Sequence, residues 1–209
     1  MRTEEYKLTV VMETELLGSQ TTRQLATEFI AKKNNFDIPE DEIEMLPDAL
    51  ERGTTVFHRD AAGQPVLWDY QCKGFLKEAG RLLSGEDGKP KNLRAKVDSY
   101  LFLSPRTIPL MVAPHDGNGR LTCADMIDYL ERPLRAQTPQ GERIAIARSE
   151  MLPAGTWFQC GMTVIQGVRE QDRLTEAVIR ELLDYGWYKG LLQWRNGGYG
   201  RFRYTLERE

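Results

Sequence analysis

Apolar and polar residues alternate along three stretches of the chain. Tyr6, Leu8, Val10 and Met12 alternate with Lys7, Thr9, Val11 and Glu13. Phe158, Cys160, Met162 and Val164 alternate with their neighbours. Phe202, Tyr204 and Leu206 alternate with Arg201, Arg203 and Thr205. A period of two predicts half-buried strands, the last with one basic face. Two other stretches have the helical period. Cys72, Phe75, Leu76, Ala79, Leu82 and Leu83 follow the i, i+3, i+4, i+7 pattern, with Asp69 as N-cap and Gly85 as stop. Leu174, Val178 and Leu182, with Ala177 beside them, predict a helix over Leu174 to Tyr185 that ends at Gly186.

Weaker signals fill the intervals. Leu25 and Phe29 mark a short helix over Thr21 to Lys33. Val56-Phe57 and Val66-Leu67-Trp68 flank Asp60-Ala61-Ala62-Gly63 and predict a hairpin. Gly85 to Asn92 reads as a polar loop. Tyr100 to Leu103 and Ile108 to Val112 read as short strands around Pro105. Cys123 to Leu130 reads as a helical stretch and Arg143 to Ser149 as a strand, with a turn over Met151 to Gly155. The resulting order is the βαββαβ pattern of an α+β, ferredoxin-like or RRM-like core. It implies one domain over residues 1–209 with two elaborations. An acidic insertion (19–55) follows the first strand, and a second insertion (86–140) lies between the first core helix and the second core strand. That numbering puts the second core strand at Arg143 to Ser149.

The 209 residues are 41% hydrophobic, enough for a sizeable core. No apolar run reaches the length of a transmembrane helix, and Met1 to Lys7 lacks the apolar core of a signal peptide, so the cytoplasm is the expected compartment. Cys72, Cys123 and Cys160 are odd in number and widely spaced. They fit neither a disulfide framework nor a zinc site, and no cofactor or metal is expected.

The net charge of −3 counts at first against a nucleic-acid partner, but its distribution changes that. Residues 1–50 hold 11 acids and 5 bases, with Glu40-Asp41-Glu42-Ile43-Glu44 the densest run. Lys89 to Arg106 holds five bases and one acid, and Lys189 to Arg203 four bases and no acid. Charges act within about 10 Å at moderate salt, so a local basic surface suffices for phosphate contact.

The most suggestive segment runs from Lys189 to Arg203. Gly190, Gly197, Gly198 and Gly200 alternate with Trp194, Tyr199, Arg195, Arg201 and Arg203, and Asn196 lies between them. Glycines allow close approach of another chain, and successive N–H groups can cradle an anion. The arginines suit phosphates, and the two aromatics suit bases. A tight turn before the last strand is the plainer reading. A second candidate is the helix start at Asp69 to Gly74, from which Lys73, Lys77 and Arg81 form one row. An ordinary solvated face is its alternative. His58 and His115 are far apart and lie in no catalytic motif.

Three segments resemble the RAMP superfamily of CRISPR effector-complex backbone proteins, the large repeated subunits. Tyr70-Gln71-Cys72-Lys73-Gly74-Phe75-Leu76-Lys77 is similar to that family's helix start, although Gln71 and Cys72 stand where the family has small residues. Glu150-Met151-Leu152-Pro153-Ala154-Gly155-Thr156-Trp157-Phe158, within Thr138 to Val164, is similar to its strand–turn–strand. Leu174 to Tyr204, a helix followed by a glycine-rich loop and Gly-Tyr-Gly-Arg entering the last strand, resembles its most recognisable feature. Together these cover about a third of the chain, distributed along it.

The resemblance implies an RRM-like fold whose copies stack along a guide RNA. It makes Lys73, Lys77, Arg195 and Arg201 candidate RNA contacts. Arg81, Lys189, Trp194, Asn196, Tyr199 and Arg203 join them on the residue pattern above. It makes 86–140 a thumb-like insertion that touches a neighbouring subunit. Asp37, Asp41 and Asp48 match no catalytic aspartate, so no catalytic role is carried over. Three readings stay open. The first is a non-catalytic RNA-binding backbone subunit, partnered by guide RNA, copies of itself and other effector-complex subunits. The second is a stand-alone RAMP-like protein, host or viral, that mimics or inhibits a CRISPR complex. The third is an RNA-processing ribonuclease.

Overall fold

The computed structural model describes residues 2–21, 54–85, 90–112, 123–138, 141–166 and 173–209, with 21, 134–138 and 141–145 described by backbone alone. The helix expected over Thr21 to Lys33, the acidic run, and the turn at His115 fall outside these residues, apart from Thr21. In chain order the elements are β1 (Arg2–Met12), β2 (Leu16–Leu17), β3 (Gln20–Thr21), β4 (Thr54–Val56), β5 (His58–Arg59), β6 (Pro65–Trp68), α1 (Asp69–Leu82), α2 (Leu93–Tyr100), β7 (Leu101–Ser104) and β8 (Thr107–Pro109). There follow β9 (Asp128–Thr138), β10 (Gly141–Leu152), β11 (Trp157–Gln166), α3 (Glu176–Asp184), α4 (Gly186–Lys189) and β12 (Phe202–Arg208). Mixed α+β architecture is therefore what the chain adopts. No helix among the described residues is long and apolar enough to cross a membrane.

The alternating residues build a four-stranded sheet in the order β12-β1-β11-β7, antiparallel at every junction. Leu8 sits between Cys160 and Leu206, and Val10 between Phe158 and Tyr204. Tyr6, Leu8, Val10 and Met12 are buried, and they join Phe75, Leu76 and Ala79 of α1 and Ile179, Leu182 and Leu183 of α3 in one core. Burying such side chains contributes about 1.5–3 kcal/mol each.

A five-stranded sheet is built on β10, which pairs with β2, β4 and the long strand β9, while β3 pairs with β4. A three-stranded sheet, β5-β6-β8, lies at the start of α1, which follows β6 directly.

Several expectations need correction. The second strand of the four-stranded sheet is β7, which lies inside the range read as an insertion. The alternating stretch around Ile144 and Ile146 belongs instead to β10 in the second sheet. The arm of the hairpin opposite Val66 is His58, not Val56 or Phe57. Cys123 to Leu130 forms one short 3-10 turn, Ala124–Met126, before β9 begins. Asp69 is the first helical residue and Trp68 the N-cap, and Gln71 Oε1 accepts from the Trp68 N–H at 2.8 Å. Leu82 is exposed rather than in the core, because the helix ends there and turns its last residue outward. Leu174 precedes α3, whose N-cap is Thr175.

Candidate nucleic-acid interface

The glycine-rich loop is a closed neck rather than an open hook. The Leu191 N–H donates to the Gly200 carbonyl at 2.8 Å, which brings the two limbs together. Gly190 has φ 76° and Gly200 φ 72°. A Cβ on Gly190 would lie 2.4 Å from the Tyr199 carbonyl oxygen, and one on Gly200 2.2 Å from that of Leu191. Only glycine meets both conditions. The loop is also fastened to the β1–β2 connection. The Thr14 hydroxyl donates to the Gly198 carbonyl and accepts from the Arg201 N–H, both at 3.0 Å. The Gly200 N–H donates to the Glu15 carbonyl, and the Glu13 N–H to that of Arg201, each at 2.8 Å.

This arrangement revises how the loop meets an anion. The N–H groups of Gly190, Leu191, Gly197, Gly198, Gly200 and Arg201 all have acceptors within the protein. They do not form the anion-holding concavity that the glycines suggested. The start of α1 is similar. The Asp69 N–H donates to the Arg106 carbonyl at 2.9 Å and the Tyr70 N–H to Asp69 Oδ1 at 2.7 Å. On this surface an anion would have to be met by side chains.

Two groups of basic side chains, distant in sequence, meet across α1. Arg195 forms an ion pair with Glu78, and Lys189 Nζ lies 3.4 Å from the same carboxylate. Burial alone would raise the Glu78 carboxyl, but Arg195 and then Lys189 outweigh it and hold it below the usual carboxylate range. Lys77 Nζ is 3.0 Å from Asp98 Oδ1. Lys73 donates to the Asp98 carbonyl at 2.7 Å and sits 4.8 Å over the Phe102 ring. The Lys77 hydrogen bond is the main reason the Asp98 carboxyl is lowered. Arg81 is exposed and lines a groove of about 510 Å³ between α1 and α2, together with Lys77 and Arg94. A neighbouring groove of about 400 Å³ holds Lys77, Arg81 and Arg94 and reaches Glu78. A basic track thus runs from the α1–α2 groove to the glycine loop, interrupted by two acids.

The other predicted residues lie around this track. Arg203 is exposed and pairs with Glu13 at 2.8 Å. Arg201 and Asn196 are exposed, and among the described residues Arg201 has no ion pair. Trp194 and Tyr199 stack on each other, with centroids 5.0 Å apart and planes 17° apart. The sequence reading missed Glu78, Asp98, Arg94, Thr14 and Arg132, whose guanidinium lies 4.2 Å from the Trp194 ring centroid. It also missed the polar knot in which Thr55 Oγ1 lies 2.8 Å from Ser149 Oγ and 2.7 Å from Gln193 Oε1, tying the loop to the second sheet. Arg94 fell in a basic run that composition does mark. The acids carried no signal, because only the fold brings them to the cations. Among the described residues no group of three or more His, Cys, Asp or Glu could hold a metal.

No family model matches this chain, and no curated protein matches it. Solved structures to which this chain shows a likeness include a chain from the type III-B Cmr-beta complex bound to cognate target RNA. It is 11% identical with a TM-score of 0.49, and the match covers 99% of this chain and 61% of that one. This chain therefore spans less than two thirds of that relative's length. Another comes from a type IV-B CRISPR complex, at 13% identity and a TM-score of 0.47, covering 97% of this chain and 90% of that one.

Proposed function

We propose that the chain is a non-catalytic RNA-binding protein, a backbone-type subunit that stacks along a guide RNA in a CRISPR-type antiviral effector complex. The observation that carries this reading is the meeting of two predicted basic clusters, Lys73-Lys77-Arg81 and Lys189-Arg195, on one track along α1. Spaced cations with glycines and aromatics beside them suit a single strand held by its backbone. The strand order of the four-stranded sheet also supports a ferredoxin-like, RRM-like core. Its last strand lies beside the first, the third on the first strand's other side, and the second outermost. Within the range first read as thumb-like, β9 pairs along its length with β10. We assign the contact with a neighbouring copy to this hairpin.

A second reading is favoured by one specific feature. The cations are largely neutralised from within, by Glu78, Asp98 and Glu13, and the chain is acidic overall. A stand-alone RAMP-like protein that docks on basic surfaces of a CRISPR complex would have this character. Purification from cells followed by the A260/A280 ratio separates the two. Co-purified short RNA supports the backbone subunit. A protein complex without RNA supports the mimic and removes the first reading.

A further inference from the structure

We propose that Arg132 is a phosphate-binding residue, delivered by the β9–β10 hairpin to the glycine-rich loop, and that Trp194 is its positioning residue rather than a platform for bases. This rests on the nucleic-acid reading above and adds a cation that the sequence did not reveal.

The Arg132 guanidinium lies over the Trp194 ring at 4.2 Å. That ring is held by Tyr199, stacked on it at 5.0 Å, and by Gly197, where a Cβ would come within 2.7 Å of the indole. Trp194 is thus fixed and, although 39% exposed, already contacted by a cation and an aromatic neighbour. A flat guanidinium on a fixed indole is a favourable cation–π pair with a defined orientation.

The same guanidinium is incompletely bonded. Its Nε and Nη1 are buried and have no hydrogen-bond partner. Donors on a charged group that lack acceptors are destabilising, and a buried group in this state calls for an explanation. Burial also lowers the proton affinity of Arg132.

The comparison with its neighbours decides the role. Arg195 and Lys189 must release Glu78 to bind an anion, Lys73 and Lys77 must release Asp98, and Arg203 must release Glu13. Each exchange sacrifices an ion pair. Among the described residues Arg132 has no carboxylate partner to give up; its contact is with the Trp194 ring. If the guanidinium stays on the indole and a small shift opens its Nε and Nη1 edge to an anion, donors that now have no acceptor gain one. The planar fork matches two oxygens of a phosphate. Trp194 precedes Arg195, and Arg201 lies two residues beyond Tyr199, so the cations follow one another along the loop as a polyanion requires.

The test uses the full chain, with fluorescein-labelled oligouridylate titrated between about 50 and 300 mM salt, and with inorganic pyrophosphate followed by thermal melting. Arg132→Gln should weaken oligouridylate binding by about fivefold and reduce the slope of log K against log salt by about 0.7, the value for one phosphate on a single strand. Arg132→Lys should keep most of the slope. The melting temperature of Arg132→Gln without ligand should equal or exceed that of the wild type, which separates lost binding from lost folding. Pyrophosphate should raise the wild-type melting temperature more than that of Arg132→Gln if free phosphate also enters. A difference confined to oligouridylate assigns the site to a strand. Equal behaviour of Arg132→Gln and wild type toward both probes overturns the proposal. If the wild type binds no RNA, the nucleic-acid reading fails by itself. The pyrophosphate arm then judges Arg132: a wild-type shift lost in Arg132→Gln upholds it, and no difference overturns it.

Discussion

Arg195 in the glycine-rich loop pairs with Glu78 on α1, across 117 residues of sequence. This contact joins the last third of the chain to α1. It also places an acid where an RNA-binding surface needs its cations free.

Glu78→Gln tests that double role. With the carboxylate gone, Arg195 and Lys189 are released, and single-stranded RNA affinity should rise several-fold in a filter-binding assay. The folded Glu78 carboxyl is held below its unfolded value near 4.5. Its contribution to stability is therefore fully present above about pH 4.5 and is lost as pH falls through the folded value. Wild type and Glu78→Gln should differ most in urea stability at neutral pH and converge as pH falls through the folded value. A difference that grows on acidification would contradict this sign.

The neck of the loop should depend on its glycines. Gly190→Ala and Gly200→Ala combine a positive φ with a carbonyl oxygen in the way, and each should lose about 2–4 kcal/mol in urea unfolding. Gly63 has φ 78°, but a Cβ there would meet nothing within 4 Å. Gly63→Ala should lose only about 1 kcal/mol. Equal losses at all three sites would mean that the close approach of the limbs matters little.

Glu150 is buried at 5% exposure, accepts from the Phe57 N–H at 2.8 Å and pairs with Arg59. Removing it leaves a buried donor without an acceptor. Glu150→Leu should lose about 3 kcal/mol and Glu150→Gln clearly less. Chemical denaturation midpoints read the difference directly.

The three cysteines are free and buried. Burial pushes the Cys160 thiol up to about 12 and the Cys123 thiol up to about 11, and raises Cys72 further. At pH 8 a disulfide reagent such as DTNB should label none of them quickly in the native protein and all three after unfolding. Rapid native labelling would mark a mobile core.

The legible parts of the fold were those where one period dominates. Tyr6 to Met12, Phe158 to Val164 and Phe202 to Leu206 each bury one face only, and α1 and α3 each carry a full apolar stripe. α2 was hidden because Leu93 and Val97 are its only buried residues and because Asn92 enters it with φ 56°. β9 was hidden by Glu131, Arg132 and Pro133. Proline is tolerated there because, among the described residues, β9 pairs with β10 alone and has no ladder bonds on its other side. At the candidate interface the rows of cations were legible as local patterns. Glu78, Asp98 and Thr14 were not, since each acts on a partner that only the tertiary structure brings near.

The central claim is that single-stranded RNA is held by the side chains of the track along α1 and the loop. It is tested most directly by the salt dependence of RNA binding, compared between the wild type and a Lys77→Glu, Arg81→Glu, Arg201→Glu triple variant. The account predicts wild-type binding that weakens steeply with salt. In the variant, affinity should fall by at least about tenfold at low salt, with the slope of log K against log salt reduced by about 2, for three phosphate contacts on a single strand. Wild-type binding that does not vary with salt, or a folded variant that binds as the wild type does, would contradict it.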